Sequence, residues 1–131
     1  MFLDTAGLLC YFDRSEIRHG DAVTLFQAAA ARFTHSYVLA ELVALCQARG
    51  LNRAKILAFA ADLIDNPEVD VVWVDEYLHR AALAFLQARP DKTYSLCDAV
   101  SFLLMKSWGI DEALTTDHHF PQAGFIRLLP E

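Results

Sequence analysis

Short apolar runs alternate along this chain with stretches of helical period. Met1 to Asp4, Arg32 to His35, Val69 to Val74, Ala113 to Thr116 and Phe125 to Leu128 read as strands. Between them, Asp21 is placed to cap a helix carrying Val23, Phe26 and Ala30, and Ser36 to open another. Asn52 caps a third, with Ile56, Phe59, Ala60, Leu63 and Ile64 on one face, until Asn66-Pro67 stops it. Asp75 caps a fourth through Leu78, Ala81, Ala82, Phe85 and Leu86, and Arg89-Pro90 marks its exit. A last helix starts near Asp98 and closes at Gly109, a residue suited to the left-handed conformation. Strands alternating with helices predict an α/β fold with a mostly parallel, roughly five-stranded sheet.

Four acids interrupt this pattern. Asp4 ends the apolar opening Met1-Phe2-Leu3, and Asp117 follows Ala113-Leu114-Thr115-Thr116, so both read as residues at strand carboxyl ends. In open parallel sheets that edge is where ligands bind. Asp98 opens the apolar stretch Ala99 to Met105, where it can cap a helix and also point into the same crevice. Glu41 lies in Tyr37-Val38-Leu39-Ala40-Glu41-Leu42-Val43, which leaves little polar face around it and predicts a buried carboxylate. Buried unpaired carboxylates are costly, so a compensating cation or hydrogen-bond network is expected. A hard divalent ion such as magnesium takes oxygen ligands of this kind and keeps several waters. A metal-activated water can attack phosphorus while the ion stabilises charge on the leaving oxygen, which points to phosphodiester hydrolysis. Thr5, Thr115 and Ser101 are short hydroxyl residues able to orient the carboxylates or bound water.

Composition narrows the class. The 131 residues suit one domain spanning 1–131. A hydrophobic fraction of 55% exceeds what one small core needs and predicts self-association or a bound partner. Charges interrupt every apolar run, so no membrane helix is expected, and an opening without a basic leader predicts a cytoplasmic protein. Cys10, Cys46 and Cys97 show no CxxC spacing and read as reduced, buried thiols. The net charge of −6 opposes non-specific nucleic-acid binding, although an ion held by clustered acids reverses the local sign. The basic residues, Arg89, Lys92 and Lys106 among them, look scattered along the chain. Trp73 and Trp108 sit in apolar settings and read as packing residues, and His118-His119 as solvated or phosphate-facing side chains.

Four sequence words carry a resemblance: Phe2-Leu3-Asp4-Thr5-Ala6-Gly7-Leu8-Leu9, Val38-Leu39-Ala40-Glu41-Leu42, Ser95-Leu96-Cys97-Asp98-Ala99-Val100-Ser101-Phe102, and Ala113-Leu114-Thr115-Thr116-Asp117-His118-His119-Phe120. In order and spacing the chain resembles the PIN-domain family, particularly the VapC toxins of type II toxin-antitoxin systems. The resemblance implies a three-layer α/β/α PIN-like domain whose metal-holding and catalytic acids fall on Asp4, Glu41, Asp98 and Asp117, with Thr115 at the supporting hydroxyl position. It further implies a Mg²⁺- or Mn²⁺-dependent endoribonuclease toxin acting on RNA, a homodimer, and a cognate antitoxin protein. His118 and His119 stand where some members carry another acid.

Other readings fit less well. A phosphotransferase of the haloacid-dehalogenase type wants a second aspartate two residues after the first, where this chain has Ala6. A phosphate-receiver domain wants an adjacent acidic pair together with a suitably placed lysine, a combined pattern that is not read here. The alternative from another class is a non-catalytic acidic interaction module that binds a basic peptide or an ion.

Overall fold

The computed structural model describes residues 1–130. Its elements run β1 (Phe2–Leu3), α1 (Thr5–Phe12), α2 (His19–Ala28), β2 (Arg32–His35), α3 (Ser36–Ala48), α4 (Arg53–Asp65), β3 (Val69–Val72), α5 (Glu76–Gln87), α6 (Leu96–Trp108), β4 (Glu112–Leu114), α7 (His119–Gln122) and β5 (Ile126–Arg127). The strands form one five-stranded sheet in the order β3-β2-β1-β4-β5, every pair of it parallel, within an α/β/α arrangement.

This order creates the site. From β1 the chain steps outward to β2 and β3, then returns to lay β4 on the other side of β1. The direction of winding therefore reverses between β1 and β4, and a crevice opens beyond their carboxyl ends. Asp4 follows β1 directly, and Thr115 to Asp117 follow β4.

Central strands of a parallel sheet are covered on both faces, so their residues are apolar without alternation. Phe2, Leu3, Phe33 and Leu114 are accordingly buried, together with Leu8, Val38, Leu42, Val100, Met105 and Phe120 from the helices. Gly7 allows α1 to press onto β4. A Cβ there would lie 1.9 Å from the Leu114 carbonyl oxygen, a distance no side chain tolerates.

Two buried polar residues fasten the layers. Arg32 donates from Nε to the Phe26 carbonyl at 2.5 Å and from a terminal nitrogen to Gln27 at 3.1 Å, bringing a cation to the carbonyl end of α2. His35 accepts the Val38 N–H on Nδ1 at 3.4 Å and thereby caps α3. Its Nε2 then carries the proton and donates to Ser101 Oγ at 2.9 Å, whose own hydrogen goes to the Cys97 carbonyl. Burial holds the His35 pKa down at about 3, so the ring is neutral.

Several expectations are corrected. Asp21 does not cap α2: the helix begins at His19 after Arg18, and Asp21 lies within its first turn. Helix α6 begins at Leu96, capped by Ser95, and Asp98 is its third residue. Ser101 orients neither a carboxylate nor water, because it is used up between His35 and Cys97. Trp73 is 62% exposed, and Trp108 packs only in part, its ring 4.9 Å from that of Phe33 while the residue is 49% exposed. The three cysteines are free and buried, and among the described residues no helix is long and apolar enough to cross a membrane.

Candidate metal centre

Asp4 stands at the N-cap of α1 with extended backbone, yet its side chain makes no capping bond. The carboxylate instead accepts the Thr115 hydroxyl on Oδ2 at 2.7 Å. Asp4 is only 4% exposed. Burial raises its pKa to about 7 against the Thr115 bond, and the negative charges of Asp98 and Glu41 push the same way. A carboxyl half-protonated at neutral pH, in the company of other acids, is electrostatically short of a cation.

Thr115 serves a second acid as well. Its oxygen accepts the Asp117 backbone N–H at 3.0 Å, which sets the turn that leaves β4. Asp117 Oδ1 in turn accepts the His119 N–H at 2.9 Å and so orders the entry to α7.

Asp98 is fixed by a reciprocal cap. Ser95 Oγ accepts the Asp98 N–H at 2.9 Å, while Asp98 Oδ2 accepts the Ser95 N–H at 3.0 Å. The same oxygen lies 3.1 Å from His119 Nδ1. Asp98 is buried, and burial raises its pKa; the Ser95 bonds and His119 oppose that rise, and the charge of Asp117 adds to it.

His119 is the residue that sequence reasoning misplaced. It is not solvated: its side chain is 16% exposed, with Nδ1 also 3.4 Å from Asp117 Oδ1 and Nε2 3.0 Å from Thr93 Oγ1. With Nδ1 donating to the acids, Nε2 accepts from the Thr93 hydroxyl. The available signal was the short Asp117-to-His119 turn, which folds α7 back onto the site. His118 does face solvent.

Glu41 departs from expectation in another way. It is exposed rather than buried, on the side of α3 away from the stripe of Val38, Leu39, Leu42 and Cys46. It still acts on the site, for its charge is felt by Asp4 and by the Cys97 thiol. Burial, with Glu41, Asp4 and Asp98 adding to it, drives the Cys97 pKa far up, so that thiol is inert.

Asp4, Asp98 and Asp117 thus share the β1/β4 crevice, and Glu41 borders it. They do not form a closed cage. Among the described residues, the trio with ligand atoms within 4.8 Å of one another is Asp117, His118 and His119. Wider spacing suits an ion that keeps much of its water. A second observation agrees: Thr5 Oγ1, next in the chain to Asp4, is buried and bonded to no oxygen or nitrogen among the described residues, lying only against the Cys97 thiol. Neither the Thr5 nor the Ser101 hydroxyl bonds a carboxylate, although the Thr5 backbone N–H does bond Asp4, so Thr115 alone of the three expected hydroxyls orients one.

The chain is similar in sequence and fold to known proteins. The 23S rRNA-specific endonuclease VapC20 of Mycobacterium tuberculosis, from strains CDC 1551 / Oshkosh and ATCC 25618 / H37Rv, is 32% identical over 132 residues, covering 100% of this chain and 99% of the relative. The crystal structure of Mycobacterium tuberculosis VapC20, described as a sarcin-ricin loop cleaving toxin, superimposes with a TM-score of 0.88 at 31% identity over 98% of each chain. The family model of the PIN domain matches residues 1–126. The chain belongs to the PIN-domain family.

Proposed function

We propose that this chain is a divalent-metal-dependent endoribonuclease, the toxin of a type II toxin-antitoxin pair, and that Asp4, Asp98, Asp117 and Glu41 are its metal-holding and catalytic acids. The observation that carries the reading is the buried Asp4 carboxyl at the β1/β4 switch point, held by Thr115 within reach of the charges of Asp98 and Glu41. Asp4, Asp98 and Asp117 would hold the ion in the crevice, with exposed Glu41 adding its charge from the border. Mg²⁺ is the working ion and Mn²⁺ a substitute, as the all-oxygen set favours. When bound, such an ion activates water and screens charge developing on the phosphate oxygens. Thr115 fixes the Asp4 rotamer, Ser95 fixes Asp98, and His119 holds Asp98 and Asp117 in register across the crevice.

The substrate to test first is the sarcin-ricin loop of 23S rRNA, on which VapC20 acts by its description. Trp73, Tyr77 and Leu83, exposed near β3 and along α5, supply apolar surface for a homodimer, and the acidic crevice is where a cognate antitoxin would block access. The protein acts in the cytoplasm, where ribosomes are. The test is to map 5′ ends across total RNA after induction of the protein and of Asp4→Asn. One new end within 23S rRNA, lost in the variant, is the expected result; identical end patterns from the two proteins overturn the reading.

A further inference from the structure

Three cations that lie apart in the sequence converge in space. Arg89, Lys92 and Lys106 line one cavity of about 330 Å³ between α5, α6 and the α7–β5 corner, and among the described residues no acid lines it. In a chain of net charge −6 this is a local reversal of sign. Its walls are aromatic: Tyr94, Phe102 and Phe125 face it, and Gln122 adds an amide at the edge. The Arg89 guanidinium lies 3.6 Å from the centre of the Phe85 ring and donates to the Phe85 carbonyl at 3.0 Å, which presents it as a preformed flat cation. Lys92 Nζ is 3.7 Å from Asp91, an exposed pair that water screens and that leaves the ammonium available.

The cavity shares a wall with the acid site. The Tyr94 ring meets the His119 ring edge to face, centroids 5.4 Å apart, and His119 Nδ1 is 3.1 Å from Asp98.

We propose that the α5–α6–α7 cavity is a nucleotide subsite: Arg89, Lys92 and Lys106 take a phosphate adjoining the cleaved bond, and the aromatic wall takes the unstacked base, whose edge Gln122 can read. Flat π faces beside cations, without acids, suit single-stranded RNA better than an acidic peptide, which offers no base to stack, or a second copy of this negative chain. The subsite rests on the ribonuclease reading of the acid crevice.

The test measures binding apart from cleavage. Anisotropy of a fluorescein-labelled single-stranded RNA 10-mer on the chelated protein is followed against salt for wild type, Lys92→Glu/Lys106→Glu and Lys92→Arg/Lys106→Arg. Charge reversal is expected to weaken binding tenfold or more and to flatten the log–log salt slope by roughly 1.4, about 0.7 for each cation lost on a single strand. The arginine variant should stay near wild type, and in Mg²⁺ the reversal variant should raise KM with kcat nearly unchanged. Unchanged affinity and slope overturn the subsite, as does wild type that binds no RNA, or reversal that alters only self-association or partner-protein binding. Cleavage by wild type with unchanged binding in the reversal variant refutes the subsite alone; lysine-dependent binding without cleavage in any divalent ion refutes the nuclease reading alone.

Discussion

Thr115 donates its hydroxyl hydrogen to Asp4 Oδ2 at 2.7 Å across 111 positions of chain. The bond joins the ends of β1 and β4 and lowers the pKa of a carboxyl that burial raises to about 7. Thr115→Val should therefore push Asp4 further up and move the rising limb of the cleavage pH profile to higher pH. At neutral pH the rate should fall by about 10- to 100-fold, the usual cost of losing a residue that orients a ligand, and Thr115→Ser should restore it. Cleavage rates from pH 6 to 9 check this.

Acid stability tests the buried ring against the buried acid. The folded pKa of Asp4 lies above its unfolded value, so Asp4 adds stability in full below about 3.8 that is lost as pH rises through about 7. His35 runs the other way. Its folded pKa of about 3 lies below the unfolded 6.5, so its contribution is present above 6.5 and lost as pH falls toward 3. In chelator the two oppose each other between about pH 4 and 6.5, with Asp98 siding with Asp4. Asp4→Asn should make the protein lose stability more steeply on acidification than wild type, by up to roughly 1.4 kcal/mol per pH unit. Urea unfolding at pH 6.5, 5.5 and 4.5 checks this; parallel curves for the two proteins would contradict it.

Gly7→Ala tests the seat of α1. A methyl group 1.9 Å from the Leu114 carbonyl must lift the helix that Asp4 begins, at a cost of about 1–3 kcal/mol for an overpacked contact. Gly20→Ala, in helix α2 with open space at its Cβ, should be neutral or stabilising by up to about 1 kcal/mol. Thermal melts of the two variants make the comparison.

Glu41→Gln should separate function from stability. An exposed side chain away from caps and core leaves stability within about 0.5 kcal/mol. Its charge nevertheless acts on Asp4. The variant should melt like wild type and cleave about tenfold more slowly, as for loss of a group that supports the ion through water. Equal rates would remove Glu41 from the site.

The fold was partly legible because the central strands β1 and β4 are written as compact, largely apolar runs, whereas β2 buries Arg32, Thr34 and His35 beside Phe33. Strand β2 lies at Arg32–His35 as expected, and Asn52, Asp75 and Gly109 terminate helices as their chemistry predicts. Strand β4 ends at Leu114, earlier than expected, and Thr115 beyond it bonds Asp4 and Asp117 through its hydroxyl while its carbonyl accepts the Leu129 N–H. Helix α1 escaped notice because Gly7, Leu8, Leu9 and Cys10 are buried in succession and erase its period. The acids were legible as words, but not their surroundings. Glu41 looked buried because apolar neighbours in sequence share a helix with it but not its face. His119 reaches Asp98 only through the α7 turn, a tertiary relation that no local pattern reports.

The most direct measurement is cleavage of an end-labelled 23S rRNA fragment by the purified protein, with and without EDTA, against a folded Asp98→Asn variant. Single-site cleavage that requires Mg²⁺ or Mn²⁺ and falls at least 100-fold in the variant is the predicted result. Undiminished cleavage in EDTA or by Asp98→Asn would contradict the assignment of this crevice as a metal-dependent nuclease site.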